Sequence, residues 1–145
     1  MFYIGLSAQP HPDAVAAAFA AHAPQARLRW GEFDDDCAGA VFVQLHRNAS
    51  EFPFALHATN LAGGDDYELG LAIARTLSLA LDCRSVCDGT RHGPTQAPGW
   101  CVVWDRGQAY LGDDYHSRFY DDSPDLSADE RAQLGPIRLL HRLEL

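Results

Sequence analysis

Residues 65–81 read DDYELGLAIARTLSLAL, and this stretch decides the fold class. Asp65 and Glu68 have the spacing of a capping box, which predicts that a helix begins just after Asp65. Leucine, isoleucine and alanine cover nearly every side of that helix and leave only a narrow polar strip at Arg75 and Ser78. A helix that is apolar nearly all round is mostly buried. The stretch therefore predicts a central helix with the rest of the chain packed around it.

Short stretches of alternating apolar and polar residues lie on both sides of this helix and predict β-strands. The predicted strands cover residues 2–7, 26–30, 41–46, 52–56, 85–88, 100–104, 109–111 and 137–145. A second helix is predicted over residues 12–22, where Pro12 suits the first turn. A third, short helix follows the capping box of Ser127 and Glu130 and ends before Gly135.

Three local signals refine the strands. Pro53 lies inside the fourth predicted strand and cannot donate a ladder hydrogen bond, which predicts an edge or bulged position. Residues 105–107, Asp-Arg-Gly, predict a three-residue hairpin connection with Gly107 in the left-handed conformation. The last strand is predicted to place one alternating set of side chains inward, namely Ile137, Leu139, His141, Leu143 and Leu145.

The predicted order of elements is β-α-β-β-β-α-β-β-β-α-β. Because helices are few and strands come in groups, the fold class is α+β with a mostly antiparallel sheet, not a doubly wound fold. The simplest arrangement is one sheet with the two larger helices packed on one face and the short C-terminal helix before the last strand. A length of 145 residues predicts a single domain over residues 1–145.

The charge of the chain excludes two classes of function. The net charge is −9, and all 11 basic residues are arginines. A general nucleic-acid binder needs cations that displace counterions from phosphates, and an electrostatic membrane binder needs cations as well. We therefore expect neither direct nucleic-acid binding nor membrane binding. An acidic chain of this kind is suited to docking on a basic surface.

The opening MFYIGLSAQPHPD lacks the basic and apolar regions of a secretion signal. No apolar stretch approaches the length of about 18 residues that a membrane span needs. The expected compartment is the cytoplasm, where reduced thiols are the usual state of the four cysteines.

Two alternatives concern metal ions. Cys83, Cys87 and His92 lie close together with Cys101 downstream, and this spacing suits zinc. The apolar surroundings favour cysteines that act as small buried hydrophobes instead. Pairs of adjacent aspartates could supply oxygen ligands to a divalent cation, although none matches a calcium-binding loop. No cofactor is expected, since the acidic residues after Gly63-Gly64 oppose a phosphate.

Histidine chemistry is a further alternative. His116 follows Asp113 and Asp114, and a histidine paired with a carboxylate can act as a general base. A solvated polar loop is the simpler interpretation of the same residues. His46 and His57 fall on the outward positions of their predicted strands and carry no predicted role.

Residues 105–130 are the most unusual part of the chain. They hold eight acidic residues against two arginines, interleaved with the aromatic residues Tyr110, Tyr115, Phe119 and Tyr120. Exposed aromatic side chains anchor protein interfaces, and acidic side chains steer a basic partner. The stretch therefore predicts either an interface or an acidic loop whose aromatic residues fold back on the core.

Three features together resemble bacterial immunity proteins, which neutralise polymorphic or type VI secreted toxins. They are LALDCRSVCD at residues 79–88, GWCVVWDRGQAYLGDD at residues 99–114, and the acidic aromatic stretch that follows, so that the resemblance spans roughly residues 66–122. The resemblance implies a protein without catalytic residues that binds a cognate toxin and occludes its active site. The implied partner is a toxin with a basic cleft, such as a nuclease or a nucleotide-directed enzyme.

The expected contact surface comprises Asp113, Asp114, Tyr115, His116, Arg118, Tyr120, Asp121 and Asp122. A second candidate patch is the acidic turn of Asp34, Asp35 and Asp36. The alternative functions are a small metal- or histidine-dependent enzyme and an acidic inhibitor that mimics a nucleic acid. A secretion adaptor is less suited to the sequence, because it would present an exposed apolar groove.

Overall fold

The computed structural model describes residues 1–31, 38–119 and 125–145. Within these ranges, eight strands and three helices follow one another in the predicted order. Their bounds are β1 Phe2–Leu6, α1 Pro12–His22, β2 Arg27–Trp30, β3 Ala40–Arg47, β4 Phe54–Asn60, α2 Asp66–Ala80, β5 Arg84–Asp88, β6 Trp100–Asp105, β7 Gln108–Asp113, α3 Ala128–Gln133 and β8 Arg138–Leu143. None of these helices has the length and the apolar composition that crossing a bilayer requires.

The strands of the described residues form one sheet in the order β2-β3-β4-β1-β5-β6-β7-β8. Neighbouring strands run antiparallel except β2 and β3, which are parallel. The predicted α+β fold with a mostly antiparallel sheet is therefore confirmed. Strand β1 is central, with β4 on one side and β5 on the other.

Helices α1 and α2 lie on one side of the sheet, which we call the helix face. Helix α2 packs over β1, β5 and β6, and α1 packs against α2. Ile4, Leu6, Ile73 and Leu77 are almost fully buried between the helices and the sheet. The predicted burial of the central helix is confirmed, and apolar side chains from every layer form the main core.

The start of α2 is held by one acidic side chain. Asp65 accepts a hydrogen bond from the backbone N–H of Tyr67 at 2.9 Å, which satisfies a donor that the helix itself leaves open. Arg91 donates to both carboxylate oxygens of Asp65, and its Nη1 also lies 3.7 Å from Glu68. Hydrogen bonding to Arg91 lowers the pKa of Asp65 from its usual value.

The opposite side of the sheet, which we call the loop face, is covered by irregular segments. Phe52, Val86, Val103 and Ile137 form a second buried cluster there, against which Phe119 packs. The Phe119 ring lies directly over strand β1, with its centroid 5.5 Å from that of Tyr3. The sheet is thus covered on both sides, by helices on one and by loops on the other.

Two predictions about the strands are wrong. Strand β4 begins after Pro53 and lies between β3 and β1, so it is neither an edge strand nor bulged at this proline. Pro53 contributes its carbonyl oxygen, which accepts the Asn48 N–H at 3.0 Å. The hairpin connection has two residues, because Asp105 pairs with Gln108. Both turn residues have positive φ, as a type I′ turn requires.

The predicted alternation of the last strand is also interrupted. The register between β7 and β8 skips Leu140, which forms a β-bulge and inverts the faces of the side chains beyond it. Ile137 therefore packs on the loop face and Leu143 on the helix face. His141 follows the bulge on the helix-face side but is exposed, because α2 lies over β1, β5 and β6.

Gly5 of β1 allows the close approach of Phe119. A Cβ atom at this position would lie 2.6 Å from Phe119 Cε2 and 2.7 Å from Val86 Cγ1. We expect Gly5→Ala to lower the free energy of unfolding by about 1–3 kcal/mol through overpacking. Urea unfolding followed by circular dichroism measures the change.

Gly70→Ala is the matched control. Gly70 is buried in α2, but a Cβ atom there would meet Phe2 at 3.4 Å, an ordinary contact. Alanine also favours a helix over glycine by about 0.5–1 kcal/mol, so this variant should be as stable as the parent or more stable. Equal stability of both variants would contradict the assigned contact between Phe119 and β1.

Candidate functional site

The turn that follows β7 is fixed by backbone hydrogen bonds. The N–H of Ser117, a buried residue, donates to the Asp114 carbonyl at 2.9 Å. Gly135, just before β8, donates to the His116 carbonyl at 3.1 Å and accepts from the Arg118 N–H at 2.9 Å. The turn is therefore joined at both ends to the sheet and to the segment that leads into β8.

This turn presents two aromatic rings to solvent. Tyr115 is 70% exposed, and its ring contacts the edge of His116 with centroids 4.1 Å apart. His116 has a φ of 60°, a left-handed backbone conformation that residues other than glycine rarely adopt. The hydrogen bonds to Gly135 maintain this conformation, since they engage the backbone on both sides of the turn.

A groove separates the turn from helix α3 and has a volume of about 490 Å³. We call this groove the turn groove. Its lining residues are Tyr115, His116, Leu126, Glu130, Gln133 and Leu134. The capping box of Ser127 and Glu130 holds the first turn of α3 in both directions, as predicted. The groove therefore combines apolar side chains with a polar rim on a fixed frame.

The structure divides the predicted contact surface. Tyr115, His116 and Arg118 are exposed and lie on the fixed turn. Asp113 is partly exposed and its carboxylate is occupied: Arg138 donates to one oxygen at 2.7 Å and the Tyr115 N–H donates to the other at 3.0 Å. The His116 ring makes an edge contact with Tyr115, and both Asp113 oxygens are engaged by other donors, so the geometry gives no support to a general base formed by His116 and Asp113.

Asp114 is only 2% exposed and therefore does not belong to the contact surface. The remaining predicted residues lie outside the described residues, namely Tyr120, Asp121, Asp122, Asp34, Asp35 and Asp36. Of the aromatic residues in this region, Phe119 folds back on the core whereas Tyr115 faces solvent. The alternative in which an aromatic residue folds back on the core therefore holds for Phe119, whereas Tyr115 has the exposure that an interface would require.

The cysteines considered for zinc do not converge. Cys87 pairs with Ile4 on the helix face, whereas Cys101 pairs with Gly112 on the loop face, so the sheet lies between their side chains. Burial raises the pKa of Cys87 to about 12 and disfavours the thiolate that zinc needs. In the described ranges, no three histidine, cysteine, aspartate or glutamate side chains are placed to hold a metal ion.

One cluster was not identified from the sequence. His46 on β3 and His57 on β4 have ring centroids 4.4 Å apart, at one wall of a cavity of about 410 Å³ on the loop face. Burial, with a smaller contribution from His46, lowers the pKa of His57 from its usual value. Alternation placed both histidines on the outward side, and only the register of β3 with β4 brings the two rings together.

Comparison with protein-family models, curated proteins and solved structures finds no match for this chain. The assignment of a function therefore depends on the geometry and charge of the surfaces described above.

The positions of the cysteines predict their reactivity. In a Cys37→Ser variant, we expect Cys83, Cys87 and Cys101 to react with a water-soluble aromatic disulfide only as the protein unfolds, because all three are buried. Absorbance of the released thiolate measures the rate. Adding Ala49→Cys places a thiol at an exposed position and should restore immediate reaction. Immediate reaction without that addition would contradict the buried placement.

Proposed function

We propose that the chain is an immunity protein, an antitoxin that binds a basic protein toxin and occludes its active site. The observation that carries this proposal is the fixed, exposed pair of Tyr115 and His116 beside the turn groove. Binding energy in protein interfaces is concentrated in a few aromatic and arginine side chains. A tyrosine that is already held in place loses little conformational entropy when it binds.

The charge of the chain supports a basic partner. Asp125, Asp129 and Glu130 are exposed at or near α3, within a chain of net charge −9. Complementary charges accelerate association and select against acidic partners. A toxin with a cationic cleft for nucleic acids or nucleotides has this complementarity. Such a toxin, delivered by a type VI secretion system, would meet the antitoxin in the cytoplasm.

The test begins with partner capture by the tagged chain in the source organism. The supporting result is a basic protein bound in stoichiometric amount that arrests growth when expressed alone and is harmless when co-expressed with this chain. A partner that has no toxicity overturns the antitoxin proposal. A defence nuclease as partner would instead favour the nucleic-acid mimic, which shares the same physical basis.

Tyr115→Ala tests the contact surface in the captured complex. Truncating a central aromatic anchor typically costs about 2 kcal/mol or more, so we expect affinity to fall by about 30-fold or more. Trp30→Ala is the matched control, because Trp30 is 44% exposed on β2 at the opposite edge of the sheet. Calorimetric titration measures both variants. Loss of binding in the Trp30 variant alone would place the interface elsewhere.

Removing two exposed charges tests electrostatic steering. We expect Asp125→Asn combined with Asp129→Asn to slow association and to flatten its dependence on salt, because fewer charges remain near the groove. Asp13→Asn with Asp82→Asn removes the same charge at exposed positions in α1 and after α2. Stopped-flow association rates compare the two pairs. Equal effects would indicate that net charge, and not this surface, determines the rate.

A further inference from the structure

The cavity beside His46 and His57 is separate from the turn groove and has a different composition. It lies on the loop face, where β1, β3 and β4 meet the segment that ends the turn after β7. Its lining includes His46, His57, Arg47, Tyr3 and Phe119. A volume of about 410 Å³ lies within the range of small-molecule sites in proteins.

The polar part of this cavity is a pair of imidazole rings. His46 on β3 and His57 on β4 lie with ring centroids 4.4 Å apart. The Arg47 guanidinium is directed to the helix face, where it lies 5.2 Å from the centroid of the Phe54 ring. Although the chain has 20 acidic residues, none of the described residues that line the cavity is an aspartate or a glutamate. Imidazolium groups attract an anion and donate the charge-assisted hydrogen bonds that hold one.

The other part of the cavity is aromatic and apolar. The rings of Tyr3 and Phe119 lie 5.5 Å apart, centroid to centroid, and Ala55 adds a small side chain to the lining. Phe119 is held over Gly5 and contacts Phe52 on its other side. These rings form a fixed wall that a flat, unsaturated group can contact.

We propose that this cavity is a binding site for a small organic anion that carries an aromatic ring, such as an aromatic carboxylate or an aryl phosphate. The anionic group lies against His46 and His57, and the ring lies against Phe119 and Tyr3. The site is separate from the proposed toxin interface, because the two surfaces share no lining residue among those that the structure describes.

The histidines make the binding of this anion dependent on pH. Tyr3 on β1 and Gln44 on β3 flank His57 in the sheet, and the His46 ring lies 4.4 Å from the His57 ring, centroid to centroid. Without a ligand, these surroundings favour the neutral imidazole. A bound anion favours the imidazolium, so that binding takes up a proton and tightens as the pH falls from about 8 to about 6.

The test follows the histidine ring signals by NMR in the 145-residue chain. The probes are benzoate, phenyl phosphate, inorganic phosphate and benzyl alcohol. We expect saturable shifts at His46 and His57 with benzoate or phenyl phosphate, with several-fold tighter binding at the lower pH. The stronger of these two probes identifies a carboxylate or a phosphate as the anionic group. Phosphate should bind more weakly than phenyl phosphate, and benzyl alcohol should cause no saturable shift.

Variants separate the cavity from general charge effects. His57→Gln and His46→Gln should each weaken the binding by about tenfold, since each removes one charge-assisted hydrogen bond. His141→Gln, on exposed β8, is the matched control and should bind as the parent does. The proposal is overturned by unchanged binding in the cavity variants, by equal shifts at His141, by phosphate binding as tightly as phenyl phosphate, or by no saturable shift with any probe.

Discussion

The burial of strand β1 on both of its faces is the constraint on which the rest of the structure depends. Ile4 and Leu6 face α2 and form the main core, while Gly5 on the other side lies under the Phe119 ring. An antiparallel sheet can leave one face in water, but β1 is covered on both, and only one of these sides is covered by helices. The loop face is closed instead by segments that carry the two proposed binding surfaces.

Phe119 links the core to both of these surfaces. Phe119 follows the turn after β7 directly in the chain. The packing of its ring on β1 therefore fixes the C-terminal end of the turn that presents Tyr115 and His116. The same ring is one wall of the histidine cavity. The packing of one aromatic side chain thus orders both proposed sites, and the absence of a side chain at Gly5 makes that packing possible.

Much of the fold followed from local patterns in the chain. The capping residues at Asp65 and Ser127 and the alternating strands predicted the order of elements. The errors arose where pairing decides the geometry. Pro53 is tolerated because the ladder of β4 begins after it, and the bulge at Leu140 inverts a strand face through its register with β7. A periodic pattern contains no information about a partner strand, so neither outcome could be read from it.

The sequence by itself determined the fold class, the buried central helix and the acidic, lysine-free character of the chain, because these depend on composition and on local periodicity. Tertiary structure alone decided which aromatic residues face solvent. Tyr115 and Phe119 are close in the chain, but only Phe119 has Gly5 beneath its ring. Tertiary structure also separated Cys87 from Cys101 across the sheet and brought His46 beside His57. The placement of the cysteines and of the two histidines depends on strand register, which long-range pairing sets and which no local stretch of sequence contains.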